Sequence, residues 1–477
     1  MADMTAITRS GNRTALSDST VRDLARGFQG QIAGPGEDGY DEGRLLWNGM
    51  FDRRPSLVAR CASADDVARA ITFARAHELL VAVRGGGHSV AGYSACDGGI
   101  VIDLSLMQAV QVDADARLAR VQAGATWAVV DRATQQYGLA APGGVVSTTG
   151  VAGLTLGGGY GWLRRKYGLS CDNVRSAEVV TVNGRRLTAS ATENPDLFWG
   201  LRGGGGNFGI VTSFEFELHP IGPQFMYAAV LYPLEQGVEV ISAWRDFMAD
   251  APDEITSDVT PWTVPEDPEL PEEIHGRDIV MLEAGYAGPA EEGERALQPL
   301  RELAEPLFDM SGIMPYVEAQ SSVDELVPAR EKLYYWKSLN LKELSDPAIE
   351  TIIAHCRRRP SKVTLVPIRY LGGAISRVGT EETAFGDRSK PILLSIDASW
   401  SDPDATDENI TWVHEFWKQM LPYSDGSAYL NFGGFGEDGD SFVQASFGKN
   451  YQRLTELKRK YDPQNILRLN HNIKPET

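Results

Sequence analysis

The chain has 477 residues, 43% of them hydrophobic and 23% charged, and its 45 Lys plus Arg against 65 Asp plus Glu give a formal net charge of −20. That length exceeds one small core and predicts two or more lobes. The negative field disfavours nucleic acid and anionic membrane surfaces as partners. No run of about 20 apolar residues is present to span a membrane, and the polar stretch from Met1 to Thr20 lacks the apolar centre of a signal peptide, so a cytoplasmic location is expected.

The cysteines, Cys61, Cys96, Cys171 and Cys356, form no CxxC pair, and no two histidines are four residues apart. A disulfide framework, a zinc site and a HExxH centre therefore have no support, and no metal is expected.

In chain order, the polar start reads as a loose lead-in. Ser56–Cys61 has the pattern of a strand and Ala64–Ala76 that of a helix, with Ser63 at the N-cap and Asp66 in capping-box spacing. Leu79–Val83 is an apolar strand running into Arg84-Gly85-Gly86-Gly87-His88-Ser89. Short strands are expected at Gly99–Leu104 and Arg117–Ala123, and Trp127, Val130, Ala133 and Tyr137 recur at helical spacing over Thr126–Tyr137. A second glycine stretch occupies Gly150–Gly161. Glu178–Val182 leads into Asn183-Gly184, the signature of a hairpin with a type I′ turn. Pro195 introduces a helical Asp196–Leu201, and a third glycine run, Gly203–Gly206, precedes the alternating strand Gly209–Leu218.

The composition changes at Pro220–Pro223. From Gln224 to about Tyr423 glycine thins and Trp and Tyr become frequent, which marks a second domain. The glycine-aromatic style returns over Tyr429–Gly436. Tyr451, Leu454, Leu457 and Tyr461 then share one face of a last helix, stopped at Asp462-Pro463.

Successive glycines let backbone N–H groups approach a phosphate closely, because no Cβ intervenes. Three such loops in one domain suit the pyrophosphate of a dinucleotide. Gly157-Gly-Gly-Tyr-Gly161 is out of GxGxxG register and no GxxxxGK[ST] is present, so neither a Rossmann finger nor a nucleoside-triphosphate loop is indicated. On the residues alone His88 is a loop histidine bonded to a backbone carbonyl and Cys171 a small buried hydrophobe. That reading stops at a two-domain protein holding an extended ligand of nucleotide type.

The ordered set of motifs resembles the berberine-bridge-enzyme-like branch of the vanillyl-alcohol-oxidase (PCMH-type) flavoproteins. Arg84-Gly-Gly-Gly-His88-Ser-Val-Ala-Gly92 resembles the loop whose histidine bonds the flavin 8α-methyl. Tyr167-Gly-Leu-Ser-Cys171-Asp-Asn173, after Gly157–Gly161, resembles the segment whose cysteine bonds flavin C6. Asp196–Val211 resembles the adenine-side segment, Tyr429-Leu-Asn431 the YxN motif of the active-site tyrosine, and Asp462–Leu467 the closing motif. The resemblance implies an α+β fold. It has a lead-in over 1–50, a two-subdomain FAD domain over 51–222, an antiparallel-sheet substrate domain over 223–425, and a segment 426–477 that returns to complete the FAD domain.

It further implies FAD held covalently by His88 and Cys171. The wall around it takes in Arg84, Gly85, Gly86, Gly87, Ser89, Gly92, Gly143, Gly150, Gly153, Gly157, Gly158, Gly161, Asn173, Val211, Tyr429 and Asn431. The implied reaction passes hydride from a hydroxyl-bearing carbon of a sugar, glycoside or secondary metabolite to flavin N5, and then to O2, giving H2O2. Tyr429 is the implied base and Tyr370, in Ile368–Gly373, a second candidate, with strand-core packing as its alternative. Asp397 reads as a structural hydrogen-bonder, and Trp262, Tyr316, Tyr335 and Trp336 either line a pocket or fill the core. A dehydrogenase or oxidative cyclase using another acceptor, and a non-catalytic covalent flavin-binding protein, are the competing expectations.

Overall fold

The computed structural model describes residues 4–435 and 439–475, so Gly436, the last residue of the returning glycine-aromatic stretch, lies outside the described residues, as do both chain ends. The first half builds two small sheets. In one, Leu57–Arg60 and Val81–Arg84 run parallel to Ile100–Asp103 between them, and Gln31–Ala33 adds an antiparallel edge. Leu57, Val58, Ala59, Ile100, Val101 and Ile102 are all buried. Both faces of this sheet are covered, and so its strands are continuous apolar runs. The other sheet is antiparallel, in the order Arg186–Ser190, Val174–Val180, Ile210–Glu217, Leu118–Gln122, Val110–Asp113.

The helix Ala64–Ala76 starts where its cap predicts, with Ser63 Oγ accepting from Asp66 N–H. The capping box is not reciprocal, because the Asp66 carboxylate accepts from Gln29, Gly30 and Ala62 N–H instead. That bond set ties down the N-terminal region, which is not a loose lead-in. Met4–Ile7 and Arg13–Leu16 form a hairpin, Asp18–Ala25 a helix capped by Ser17, and Ala6, Leu16 and Val21 are fully buried in the first core. A few apolar residues in a polar stretch suffice once a neighbouring core receives them.

Two further local expectations are corrected. Asn183 is not among the residues with positive φ, while Gly184 has φ 77°, and Gly184 N–H bonds Thr181 C=O at 2.9 Å. This is a type I turn closed by a left-handed glycine rather than type I′; Asn183 Oδ1 accepts from Thr181 Oγ and Arg185 N–H, an arrangement that turns with an Asx bond favour. Part of the second glycine stretch is helical, over Val151–Leu156.

The remaining large sheet has eight strands. Its main path runs Phe308–Asp309, Gln224–Pro233, Asp278–Tyr286, Ile255–Thr263, Ile368–Tyr370, Ile392–Trp400, Leu333–Leu341, and Gly312–Pro315 also pairs with Gln224–Pro233. The helices Gly237–Ala249, Asp346–Cys356 and Thr406–Met420 cover one face, packing Trp244, Ile349, Ile352 and Phe416 with Val259, Leu282, Ile368 and Leu394. The opposite face looks onto the glycine loops. After this sheet the chain returns to the first core, where Leu454 and Leu457 of Tyr451–Tyr461 are buried.

Candidate active site

One continuous cavity lies between the glycine loops and the inner face of the large sheet. Of the expected wall, Gly85, Gly86, Gly87, His88, Ser89, Gly150, Gly153, Gly157, Val211, Tyr429 and Asn431 line it. The third glycine run, Gly203–Gly206, does so as well. Arg84, Gly92, Gly143, Gly158, Gly161, Cys171, Asn173 and Tyr370 stand outside this lining.

The glycines serve different ends. A Cβ on Gly86 would strike the Gly150 backbone, and one on Gly161 would strike the Gly143 carbonyl, so these pairs are loop-to-loop contacts. Gly158 has φ 118° and lies against the Phe385 ring, and Gly92 has φ 71° against Phe51. Gly153 and Gly206 differ: a Cβ there meets nothing, and both line the cavity. Arg84 braces the first loop from behind, bonding Asp103 at 2.8 Å while its guanidinium lies under Gly87.

His88 faces the cavity, and its Nε2 has no hydrogen-bond partner among the described residues. Burial pushes its imidazole down to about 4, so the ring is neutral at pH 7. The Trp47 indole stacks on it, with centroids 4.2 Å apart.

Cys171 lies just behind the wall, in an apolar cluster with Tyr160 and Tyr429, which both line the cavity. Its turn is held rigidly. Arg388 makes a two-pronged ion pair with Asp172, both bonds 2.7 Å. Asn173 donates to the Tyr167 and Leu169 carbonyls, and its Oδ1 accepts from His219 Nε2 at 2.6 Å. Asn173 thus clamps the Cys171 loop. Burial, with Asp172 beside it, pushes the Cys171 thiol well above its usual range.

Tyr429 caps the short 3-10 turn Leu430–Phe432, not a strand, yet the turn still brings Asn431 back onto its phenol. Tyr429 Oη accepts from Asn431 Nδ2 at 2.7 Å and from Gly159 N–H at 3.0 Å. Burial pushes this phenol well up, and the two donors and Arg369 pull the other way.

On the large sheet, Tyr370 turns away from the cavity. Its ring packs edge-on to Trp244 and under the Arg165 guanidinium, among the outer helices. Strand alternation gives the inner face to its neighbour Arg369, whose Cζ stands 4.9 Å over the Phe432 ring and whose Nη1 has no hydrogen-bond partner among the described residues. The same alternation sends Tyr335 outward to His414 and Trp336 into the cavity. Trp262 and Tyr316 belong to separate buried clusters.

The inner face carries a polar band that the sequence reading largely missed. Glu283, Asp258 and Arg369 are successive cross-strand neighbours, and Asp397 also lines the cavity. Arg164 pairs with Asp258, and Asp397, bonded by Ser395 Oγ, is raised by burial to about 6. The available signal was a lone charge in an apolar strand, as in Val280-Met-Leu-Glu283-Ala.

A family model described as "FAD binding domain" matches residues 55–190, and one described as "Berberine and berberine like" matches residues 428–474. The chain is 31% identical over 452 residues to the FAD-linked oxidoreductase YgaK of Bacillus subtilis, covering 94% of this chain and 97% of that one. It is 30% identical to (R)-6-hydroxynicotine oxidase of Paenarthrobacter nicotinovorans, covering 94% and 97%. The crystal structure of 6-hydroxy-D-nicotine oxidase from Arthrobacter nicotinovorans superposes with a TM-score of 0.82 at 28% identity, covering 94% of this chain and 98% of that one. The chain belongs to the berberine-bridge-like FAD-linked oxidoreductases.

The cavity of this berberine-bridge-like oxidoreductase fits FAD on its own terms. Open space stands at Gly153 and Gly206 where side chains would intrude. His88 Nε2, Trp162 Nε1, Trp336 Nε1, Arg369 Nη1 and Asn470 Oδ1 belong to lining residues and have no hydrogen-bond partner among the described residues. Buried polar atoms are rarely left so, and a bound cofactor and substrate would satisfy them. Among the described residues no group of three His, Cys, Asp or Glu is placed to hold a metal ion, and no helix is long and apolar enough to cross a membrane.

Proposed function

We propose that this berberine-bridge-like oxidoreductase holds FAD through both His88 and Cys171 and oxidises a hydroxyl-bearing carbon of a sugar, glycoside or secondary metabolite, with Tyr429 as base and dioxygen as final acceptor. On this reading residues 51–222 and 426–477 make the FAD domain and 223–425 the substrate domain. The observation that carries it is the Tyr429 phenol oxygen, set in the cavity wall between the Asn431 and Gly159 donors. Kinship with an oxidase supports dioxygen as acceptor.

When bound, FAD supplies a two-electron acceptor beside the substrate. As the phenolate, its own proton already given up, Tyr429 Oη takes the hydroxyl proton as the adjacent C–H bond is lost as hydride, leaving a carbonyl. Two electrons and two protons leave the substrate and end on dioxygen as hydrogen peroxide. A buried phenol resists losing its proton, and the N–H groups of Asn431 and Gly159 favour the oxyanion, lowering that cost. The band of Glu283, Asp258, Arg369 and Asp397 offers acceptors and donors to a polar substrate on the side facing the glycine loops.

Anaerobic flavin reduction against a panel of sugars, alcohols and aromatic metabolites, with peroxide counted per turnover in air, tests the reaction. Tyr429→Phe should slow reduction by about 10²–10⁴; an unchanged rate would remove Tyr429 as the base. For the tethers, acid precipitation of His88→Ala with Cys171→Ala should leave a colourless pellet, and flavin still in the pellet would sink both attachments.

A further inference from the structure

Trp47 lies outside every motif in the sequence, yet it touches the His88 loop and the large sheet together. Its backbone N–H donates to the Gly87 carbonyl at 3.0 Å, and its carbonyl accepts from Arg330 N–H at 2.8 Å. Indole Nε1 donates to the Val327 carbonyl at 2.9 Å. The indole stacks on the His88 imidazole at 4.2 Å and 15°, and on the Tyr334 phenol at 3.9 Å and 19°, standing between the two. Tyr334 belongs to the strand Leu333–Leu341, and its hydroxyl is fixed on the Pro328 carbonyl. Next in the chain, Asn48 donates to the carbonyls of Val90, two residues past His88, and of Tyr334.

We propose that Trp47 is the positioning residue for flavin attachment at His88, and that attachment is thereby coupled to seating of the large sheet against the glycine loops; this rests on the His88 tether proposed above. Attachment replaces one C–H bond of the flavin 8α-methyl with a C–N bond to the imidazole. One hydrogen leaves the methyl and one the ring nitrogen, and dioxygen takes both, with two electrons, as hydrogen peroxide. A loop histidine free to turn samples several χ1 wells, of which few aim a nitrogen at a fixed carbon. A ring held flat against Trp47 keeps one plane, and a preset geometry accelerates bond formation between fixed partners. Tyr334 supplies the second surface of the vice, and it arrives only with the large sheet.

The test uses Cys171→Ala protein, in which His88 is the remaining tether, and reads the flavin that stays with acid-denatured protein and the mass added to the intact chain. In that background Trp47→Phe should attach FAD within about twofold of its parent, whereas Trp47→Leu should attach it at least ~10-fold more slowly while still carrying FAD released by acid. Tyr334→Leu, which leaves the Trp47–His88 pair intact, should fall between the two. Attachment at the parent rate in Trp47→Leu overturns the positioning role, and a Trp47→Leu protein carrying no FAD of either kind does so too. Parent-rate attachment in Tyr334→Leu overturns the coupling to the large sheet. If Cys171→Ala alone releases all its flavin in acid, the His88 tether itself is wrong, an outcome distinct from these.

Discussion

Burial raises the Glu283 carboxyl to about 7, against the pull of a hydrogen bond from Tyr227 Oη at 2.5 Å. The unfolded chain holds this proton less tightly, at the ordinary carboxyl value of 4.5. Folding therefore gains from the neutral acid below that value and loses the gain as pH rises through 7. Wild type should lose about 3 kcal/mol relative to Glu283→Gln between pH 4.5 and 8, measured as the difference in denaturant midpoints. A constant difference across that range would mean Glu283 is ionised in the fold. At this scale the sequence is least legible. Tyr370 and Arg369 are adjacent, and the choice of which enters the cavity depends on strand phase, set by pairing with Asp258 and Leu393 far along the chain. The proposed tethers are a different case: nothing in the local residues distinguishes Cys171 from a buried apolar cysteine, and only the order of motifs points to it.

Lys458 and Asp462 form an ion pair at 2.8 Å with both side chains fully buried. Lys458 Nζ also donates to the carbonyls of Asn207 and Leu467, and Asp462 accepts from Ile466 and Leu467 N–H. The last helix is thereby locked to the loop that follows Gly203–Gly206. Removing one partner leaves the other charge buried and alone, so Lys458→Met should cost about 3–5 kcal/mol; chemical unfolding checks it, and a loss below 1 kcal/mol would show that water reaches Asp462. Elements of this kind were well legible. Ala64–Ala76 and Tyr451–Tyr461 follow from apolar spacing and end signals, because both are decided by neighbours within a few residues. The N-terminal hairpin was not, since its burial depends on a sheet and helix supplied later in the chain.

The division into a glycine-rich and an aromatic-rich part was visible as a change of composition near Pro220–Pro223, and the two parts build the two walls of the cavity. The net charge of −20 acts on the molecule as a whole. At low ionic strength the reduced enzyme should pass electrons faster to a cationic dye than to an anionic dye of similar potential. The two rate constants should converge above ~0.15 M salt, where the screening length is about 8 Å. Equal rates at low salt in stopped-flow reoxidation would place the charge away from the cavity mouth.

The contact between Asn207 and His471 spans 264 positions, and that between Gly159 and Tyr429 spans 270. During synthesis the glycine loops leave the ribosome long before their opposite wall exists, and at roughly 5–20 residues per second the interval lasts many seconds. A nascent chain therefore carries an open, half-built cradle, and loading with FAD in its final geometry belongs to the completed polypeptide. A message cut short before Tyr429 yields a chain without the proposed proton acceptor, and on that proposal incomplete products are born inactive.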